Sequence, residues 1–392
     1  MANKKSRRNI FALGFVSFFT DISSEMVLSL LPTFIVSLPG SSVFFLGIIE
    51  GVAEALSYGM RAISGVFSDK IGKRKSIVLV GYALSNVTKP LFGIVNSTLE
   101  AFAIRIFDRV GKGVRTAPRD ALICDSTSEE NIGAAFGLHR ALDQTGAILG
   151  PLLASGLLIF IGYTVREVFW FSIIPGLAAL LILIFLVKEQ SCKTETKFTF
   201  LKGFKSMAKA EFLWLLVIVS IFSLGAFNFS FVLIYGSEVG ISSGSIPILF
   251  ALVNVAHVAV AIPAGLLADR VGKEKMLFVG YSVFLAVSLA IFIGPASWVV
   301  ALGVAVSFGL YQGIVNTVSR SLIPKYVKPN LVGTAYGLYY LVSGFSFLFS
   351  NLIVGLLWNN FGSSLSVLYS AALTIISLLG FVVFPLMRKH KN

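Results

Sequence analysis

Long apolar blocks separated by short polar connections limit this 392-residue sequence more than any other feature. The blocks run to roughly 18–27 residues, the length a helix needs to cross a ~30 Å hydrocarbon core. In lipid every backbone N–H and C=O must be satisfied internally, which leaves helices or closed barrels. The blocks show no period-two alternation and are too long for barrel strands, so the expectation is all-helical. Composition agrees: 56% of residues are hydrophobic, 13% are charged, and the mean hydropathy is +0.87, whereas a soluble domain carries about 25% charged residues. Spans are read at 9–38, 43–68, 76–95, 99–124, 131–160, 165–187, 212–238, 244–268, 276–294, 297–322, 331–358 and 363–387.

The start, MANKKSRRN, resembles the basic end of a signal peptide. The apolar stretch behind it contains Asp21 and Glu25 and lacks a small-residue cleavage site, so it reads as a retained first span. Cys124 and Cys192 have neither a disulfide framework nor metal-ligand spacing around them, and no metal site or cofactor is expected.

The net charge of +13 raises the question of nucleic acid, and placement answers it. With the N-terminus in the cytoplasm, 24 Lys and Arg fall on the cytoplasmic side and only Arg166 falls opposite. This is the positive-inside pattern, which puts both tails in the cytoplasm and requires an even number of spans. The basic balance therefore reports the topology of a multi-pass protein of the cell (cytoplasmic) membrane, with the lipid bilayer and not nucleic acid as its partner.

The chain also repeats itself. GVFSDKIGKRK at 65–75 returns as GLLADRVGKEK at 265–275, and IGAAFGL at 132–138 returns as VGTAYGL at 332–338. Two echoes at one offset of 200 residues argue for duplication of a six-span unit. The expected organisation is an N-terminal six-helix bundle at 1–187, a polar and basic cytoplasmic linker at 188–211, and a C-terminal bundle at 212–392. Parallel six-span repeats place a solute site near the midplane between them.

The G-x-x-x-D-x-x-G-K-R-K run after span 2, with its copy after span 8, resembles the signature loop of the major facilitator superfamily, and the likeness covers essentially the whole chain. The resemblance implies twelve transmembrane helices in two pseudo-symmetric six-helix bundles, and usually a monomer. It also implies a cytoplasmic latch built from Gly65, Asp69, Gly72, Lys73 and Arg74 with Asp125 at the end of span 4, repeated at Asp269 and Gly272. In similar transporters the aspartate, the following cation and the span-4 acid close the cytoplasmic side; here these are Asp69, Lys73 and Asp125. A second element, GAILGPLLASG at 146–156, resembles the span-5 motif of exporters. Gly146 and Gly150 supply a close-packing stripe and Pro151 a bend, while Ala154-Ser155 replaces the usual final Gly-Gly. Arg105 matches the family's buried span-4 arginine, often linked to proton coupling. Span 4 departs from the pattern in carrying Arg109, Lys112 and Arg115 where small apolar residues are usual.

Charges at membrane depth cost ~2.5–3.5 kcal/mol each or more, which makes them functional candidates. The first half holds Asp21, Glu25, Glu50, Glu54, Arg61, Lys89, Arg105, Asp108, Arg109, Lys112, Arg115, Arg140 and Asp143 inside spans. Asp21, Glu25, Glu54 and Asp143, with Arg105 and Asp108, are the candidates for proton coupling. Arg61, Arg109, Lys112 and Arg140 are candidates for lining a cavity. Three readings of this cluster stay open: mutual neutralisation around a proton site, a cationic wall for an anionic solute, or static ion pairs tying helices together. The second half offers Asn254, His257, Tyr311, Gln312 and Asn316 as neutral cavity candidates, with His257 taken as the lone intramembrane histidine; Asn228, Tyr339 and Asn351 read more as interhelical hydrogen-bond partners.

The expectation is a secondary active transporter, a proton-coupled antiporter exporting a small organic compound. The alternatives are a carrier of organic anions or metal complexes, and a membrane sensor that transports nothing. The sequence contains no Walker loop, nucleophile elbow, His/Cys metal cluster or dinucleotide turn, so an enzyme is not expected.

Overall fold

The computed structural model describes residues 4–127, 132–189, 210–327 and 332–389. Every regular element among them is helical. In chain order these are α1 (Lys4–Leu28), α2 (Leu31–Ser37), α3 (Val43–Ile71), α4 (Arg74–Thr88), α5 (Thr98–Asp125), α6 (Ile132–Gly156), α7 (Val165–Phe171) and α8 (Ile173–Phe185), then α9 (Ala210–Gly225), α10 (Phe229–Glu238), α11 (Ile246–Val271), α12 (Lys273–Ile293), α13 (Trp298–Leu322) and α14 (Val332–Lys389). Short 3-10 turns follow α4 at Pro90–Ile94 and α13 at Ile323–Lys325, and a π turn follows α6 at Leu157–Ile161.

Ten helical stretches are long and apolar enough to cross a membrane, and the last of them is 49 residues long. That stretch lies in α14, which is interrupted at Gly362, where φ is 79° and ψ 177°, so it makes two crossings. Helix α5 is too charged to count by hydropathy yet spans 28 residues, and with it the crossings number twelve. The span limits read from sequence agree with the helices to within a few residues. The breaks inside spans 1, 6 and 7, at Ser29–Leu30, Ser172 and Ala226–Asn228, are new.

The 200-residue repeat is carried by the backbone as well as by the sequence. The residues with positive φ among those described are all glycines, and they fall into three pairs: Gly40 and Gly240, Gly72 and Gly272, Gly162 and Gly362. Such a φ is strained for any residue with a Cβ. The helices α5 and α13 begin on matched caps, Ser97 accepting from the Glu100 amide and Ser297 from the Val300 amide. Close packing is duplicated too. A Cβ added to Gly113 would lie 2.7 Å from the Ser57 carbonyl oxygen, and one added to Gly313 2.5 Å from that of His257.

Contacts divide the chain into two units, one of Met1–Ser41, Val52–Thr196 and Ser242–Ala251, the other of Ser42–Gly51, Lys197–Ile241 and Leu252–Asn392. The first has an aliphatic core at the end where α1 begins, in which Leu13 and Val16 of α1 meet Val78 and Tyr82 of α4, Leu122 of α5, Ala135 of α6 and Leu183 of α8. The second is built around aromatic rings: Phe222 stacks on Tyr281 with centroids 3.5 Å apart, and Phe227, Phe284, Phe308 and Tyr311 surround them. Most of the linker expected at 188–211 lies outside the described residues.

Candidate functional site: a charged ladder in the first unit

Helix α6 lies against α1 because two of its residues have no side chain. A Cβ on Gly146 would overlap the Phe18 carbonyl oxygen and come within 3.2 Å of Asp21 Cβ; one on Gly150 would lie 2.8 Å from the Ile22 carbonyl oxygen and 3.1 Å from Glu25 Cβ. The glycines of the span-5 element thus press α6 onto the turns of α1 that carry Asp21 and Glu25. Pro151 follows inside α6 and is buried.

That approach sets up a ladder. On α1 the polar positions Ser17, Asp21 and Glu25 recur every four residues, and on α6 His139 and Asp143 do the same. Ser17 Oγ and His139 Nε2 are 2.8 Å apart. One turn further along, the carboxyl groups of Asp21 and Asp143 are neighbours, and Arg140 donates to Asp143 at 2.8 Å. Two neighbouring buried carboxylates repel each other, and a proton taken up by one of them removes that repulsion and can be shared between the two. His257 is therefore not the lone histidine of the spans: His139 lies in α6 and is 4% exposed. It sits four residues before Asp143, and a histidine census span by span would have found it.

Helix α5 adds a second constellation. Arg105 is fully buried (0% exposed) and pairs with Asp108 at 3.3 Å. Asp108 also accepts from Ser85 Oγ at 2.8 Å and lies 4.0 Å from Arg109. Arg109 reaches Glu54 of α3 at 3.7 Å. Arg115 faces α4 instead, with its guanidinium 4.3 Å from the Tyr82 ring centroid. Arg61 lies over Tyr58, 4.9 Å from the ring centroid. Lys89, buried at the end of α4, donates to Asn86 Oδ1 at 2.8 Å. Neither Arg61 nor Lys112 forms an ion pair within 4.0 Å among the described residues, and Arg61 Nε is buried without a hydrogen-bond acceptor. Glu50 is buried and belongs to the second unit.

At the end where α1 begins, the acid closing α5, Asp125, is paired with Arg74. Lys73 forms the N-cap of α4 and is exposed; the side chain of Asp69 lies outside the described residues. Gly72 closes α3 in the left-handed region, its amide donating to the Ser68 carbonyl at 2.9 Å. Gly65 faces Ala117 at ordinary contact distance. The second unit repeats this strut with the charges exchanged. Glu274, 200 residues after Arg74, pairs at 2.5 Å with Lys325, 200 residues after Asp125. Lys273 reaches Asp269 at 4.0 Å and donates to the Ser321 carbonyl at 2.9 Å, and Gly272 is left-handed like Gly72.

The exchange makes a prediction. Arg74→Glu alone leaves two carboxylates facing each other at a nearly buried position and should destabilise the protein by about 3 kcal/mol. Adding Asp125→Lys gives the first strut the polarity of the second and should restore most of the lost melting temperature. A double variant no better than the single would show that the strut does not act as a pair.

Among the C-terminal candidates, Tyr311 is part of the aromatic core. Asn254, His257 and Gln312 are half-buried, and Asn316 is exposed. Asn228 caps α10 by accepting from the Ser230 amide, Asn351 donates to the Phe347 carbonyl at 2.7 Å and accepts from the Asn228 amide, and Tyr339 is half-buried.

Comparison with known proteins agrees with this architecture. The family model for the Major Facilitator Superfamily matches residues 13–235 and again 213–392. An MFS-type transporter of Methanocaldococcus jannaschii is 34% identical over 96% of this chain and 94% of its own length. Multidrug resistance protein 1 of Bacillus subtilis is 23% identical over 87% of each. Among solved structures, a mutant of the nucleoside transporter NupG superposes with a TM-score of 0.84 at 12% identity, covering 96% of this chain and 99% of that one, a likeness of fold. With twelve crossings in two pseudo-symmetric bundles and a family match over residues 13–392, this chain belongs to the major facilitator superfamily, and it is a multi-pass membrane transporter and not an enzyme.

Proposed function

We propose that the protein is a proton-coupled antiporter that exports a small organic compound across the cell membrane, with both termini in the cytoplasm. Its two halves, 1–187 and 212–392, rock about a midplane site, and the segment 188–211 joins them. The observation that carries the reading is the neighbouring Asp21 and Asp143 carboxyl groups, held on helices pressed together at Gly146. Such a pair can take up and release one proton as α1 and α6 shift, so binding of the proton and of the solute can alternate. The resemblance of the span-5 glycines to an exporter element, and the likeness to multidrug resistance protein 1 of Bacillus subtilis, support the outward direction.

The test begins with a thermal-shift screen of the purified protein against ligands sorted by charge, which supplies a transported probe. In proteoliposomes with the cytoplasmic face outward, an acidic lumen should drive that probe inward against its gradient. Flux indifferent to the pH gradient would overturn antiport, and binding without any flux would identify a sensor.

A second reading, transport of an organic anion, draws on Arg61 and Lys112, which form no ion pair within 4.0 Å among the described residues. If it holds, Lys112→Ala and Arg109→Ala will each weaken binding of anionic ligands by about tenfold or more while leaving neutral ligands unaffected.

A further inference from the structure

The Asp21–Asp143 pair does not stand alone on its ladder, and the rung below it is built from groups that pass protons. His139 and Ser17 are both nearly inaccessible, at 4% and 1% exposure, and both lie one helical turn from the pair on the side where α1 begins. Ser17 Oγ is within hydrogen-bonding distance of three groups on three other helices: His139 Nε2 of α6 at 2.8 Å, the Tyr82 hydroxyl of α4 at 3.1 Å, and Arg119 Nη1 of α5 at 3.4 Å. Arg119 in turn holds Asp120 through two hydrogen bonds of 2.8 and 2.9 Å. The Asp120 side chain is 41% exposed. A series of polar contacts therefore runs from an accessible carboxylate through Arg119 to Ser17 and His139, one helical turn short of the buried carboxyl pair. The charged groups around the imidazole are Arg119 and Asp120 of α5 and Arg140 and Asp143 of its own helix; Ser17 and Tyr82 face it from α1 and α4.

We propose that His139 and Ser17 are a proton relay between Asp120 and the Asp21–Asp143 pair, a role that rests on the coupling function assigned to that pair. A proton delivered by a hydronium ion in water on the side of the exposed Asp120 bonds to Nδ1 of the imidazole, leaving that water neutral. The N–H at Nε2 then breaks as its proton bonds to Ser17 Oγ, and the hydroxyl proton of Ser17 leaves toward the Asp21 carboxylate. Histidine and serine end the step neutral, and the carboxyl pair has gained one proton. One turn of helix, about 5.4 Å, separates the rungs, a gap that a single bridging water or a small shift of α1 along α6 closes. Tyr82 and Arg119 hold the hydroxyl in place and act as positioning residues.

The relay predicts a rate and leaves the equilibrium alone, so the experiment follows protonation itself and needs no transported ligand. After a pH jump on the purified full-length protein, time-resolved infrared spectroscopy reads the band of the protonated carboxyl group, identified by its loss in Asp21→Asn/Asp143→Asn. His139→Gln and Ser17→Ala should each keep the amplitude of the band and slow its appearance by about a hundredfold. Rates within twofold of wild type in both variants overturn the relay while leaving the coupling pair standing. Absence of the band from the wild-type protein overturns the coupling pair and the relay together. If His139→Gln does not fold, Ser17→Ala decides alone; if neither folds, the two residues are structural and the relay is overturned.

Discussion

Gly146→Ala should lower the stability of the protein by about 3 kcal/mol, whereas Gly137→Ala and Gly156→Ala on the same helix should leave it unchanged or slightly raised. The difference follows from what an added methyl group would meet. At Gly146 it meets the Phe18 carbonyl oxygen, which is backbone within a helix and cannot swing aside; at Gly137 and Gly156 there is nothing within 4 Å. Relief requires α6 to move off α1, which forfeits dispersion contacts along the whole seam, and those contacts are the main force between helices in lipid, where no hydrophobic drive exists. Melting curves of the three variants in one detergent check the order. The seam also sets the spacing of Asp21 and Asp143, so whatever Gly146→Ala retains of its fold should have moved the two carboxyl groups apart. A Gly146→Ala protein as stable as Gly137→Ala would mean that the two helices do not approach as closely as described.

Much of this arrangement is legible in the sequence because membrane physics leaves few choices. Block length gives the spans, and Lys and Arg asymmetry gives an even number of crossings. The recurrence of Gly72 at Gly272, and of the residues around it, gives the duplication. The same rules miss what depends on neighbours. The break at Ser29–Leu30 and the one at Ala226–Asn228 leave no trace in hydropathy; the local marks are Pro32 in the first turn of α2 and the Asn228 cap of α10. Spacing places Arg105, Arg109 and Lys112 on one face of α5 and Asp108 one turn from Arg105, but not which helices that face meets; only the structure brings Arg109 to Glu54 of α3 and Asp108 to Ser85 of α4. The partner of Asp125 turned on one residue, Arg74 in place of Lys73, because the left-handed turn at Gly72 leaves Lys73 at the exposed cap and rotates Arg74 inward. His139 escaped notice for a different reason: a histidine gains meaning beside an acid only once the facing helix, with Ser17 and Asp21, is known.

Asp21→Asn and Asp143→Asn should each abolish the response of flux to a pH gradient, and the double variant should be no worse than either alone. A proton held between two carboxyl groups needs both of them, so the second substitution removes nothing that the first has left. Ligand binding, read by thermal shift, should persist in all three. The competing view, in which these charges only tie helices together, makes a different prediction. It gives Asp143 its importance through Arg140, so Arg140→Ala should then be as damaging as Asp143→Asn. Geometry argues against that equivalence: the Arg140 side chain is 57% exposed, where an ion pair is worth about 1 kcal/mol or less, while the Asp143 side chain is 12% exposed and faces Asp21 across the seam. Coupled flux that survives Arg140→Ala and fails in Asp143→Asn would therefore assign the energy-coupling step to the carboxyl pair. Equal loss in both would return the pair to a structural role.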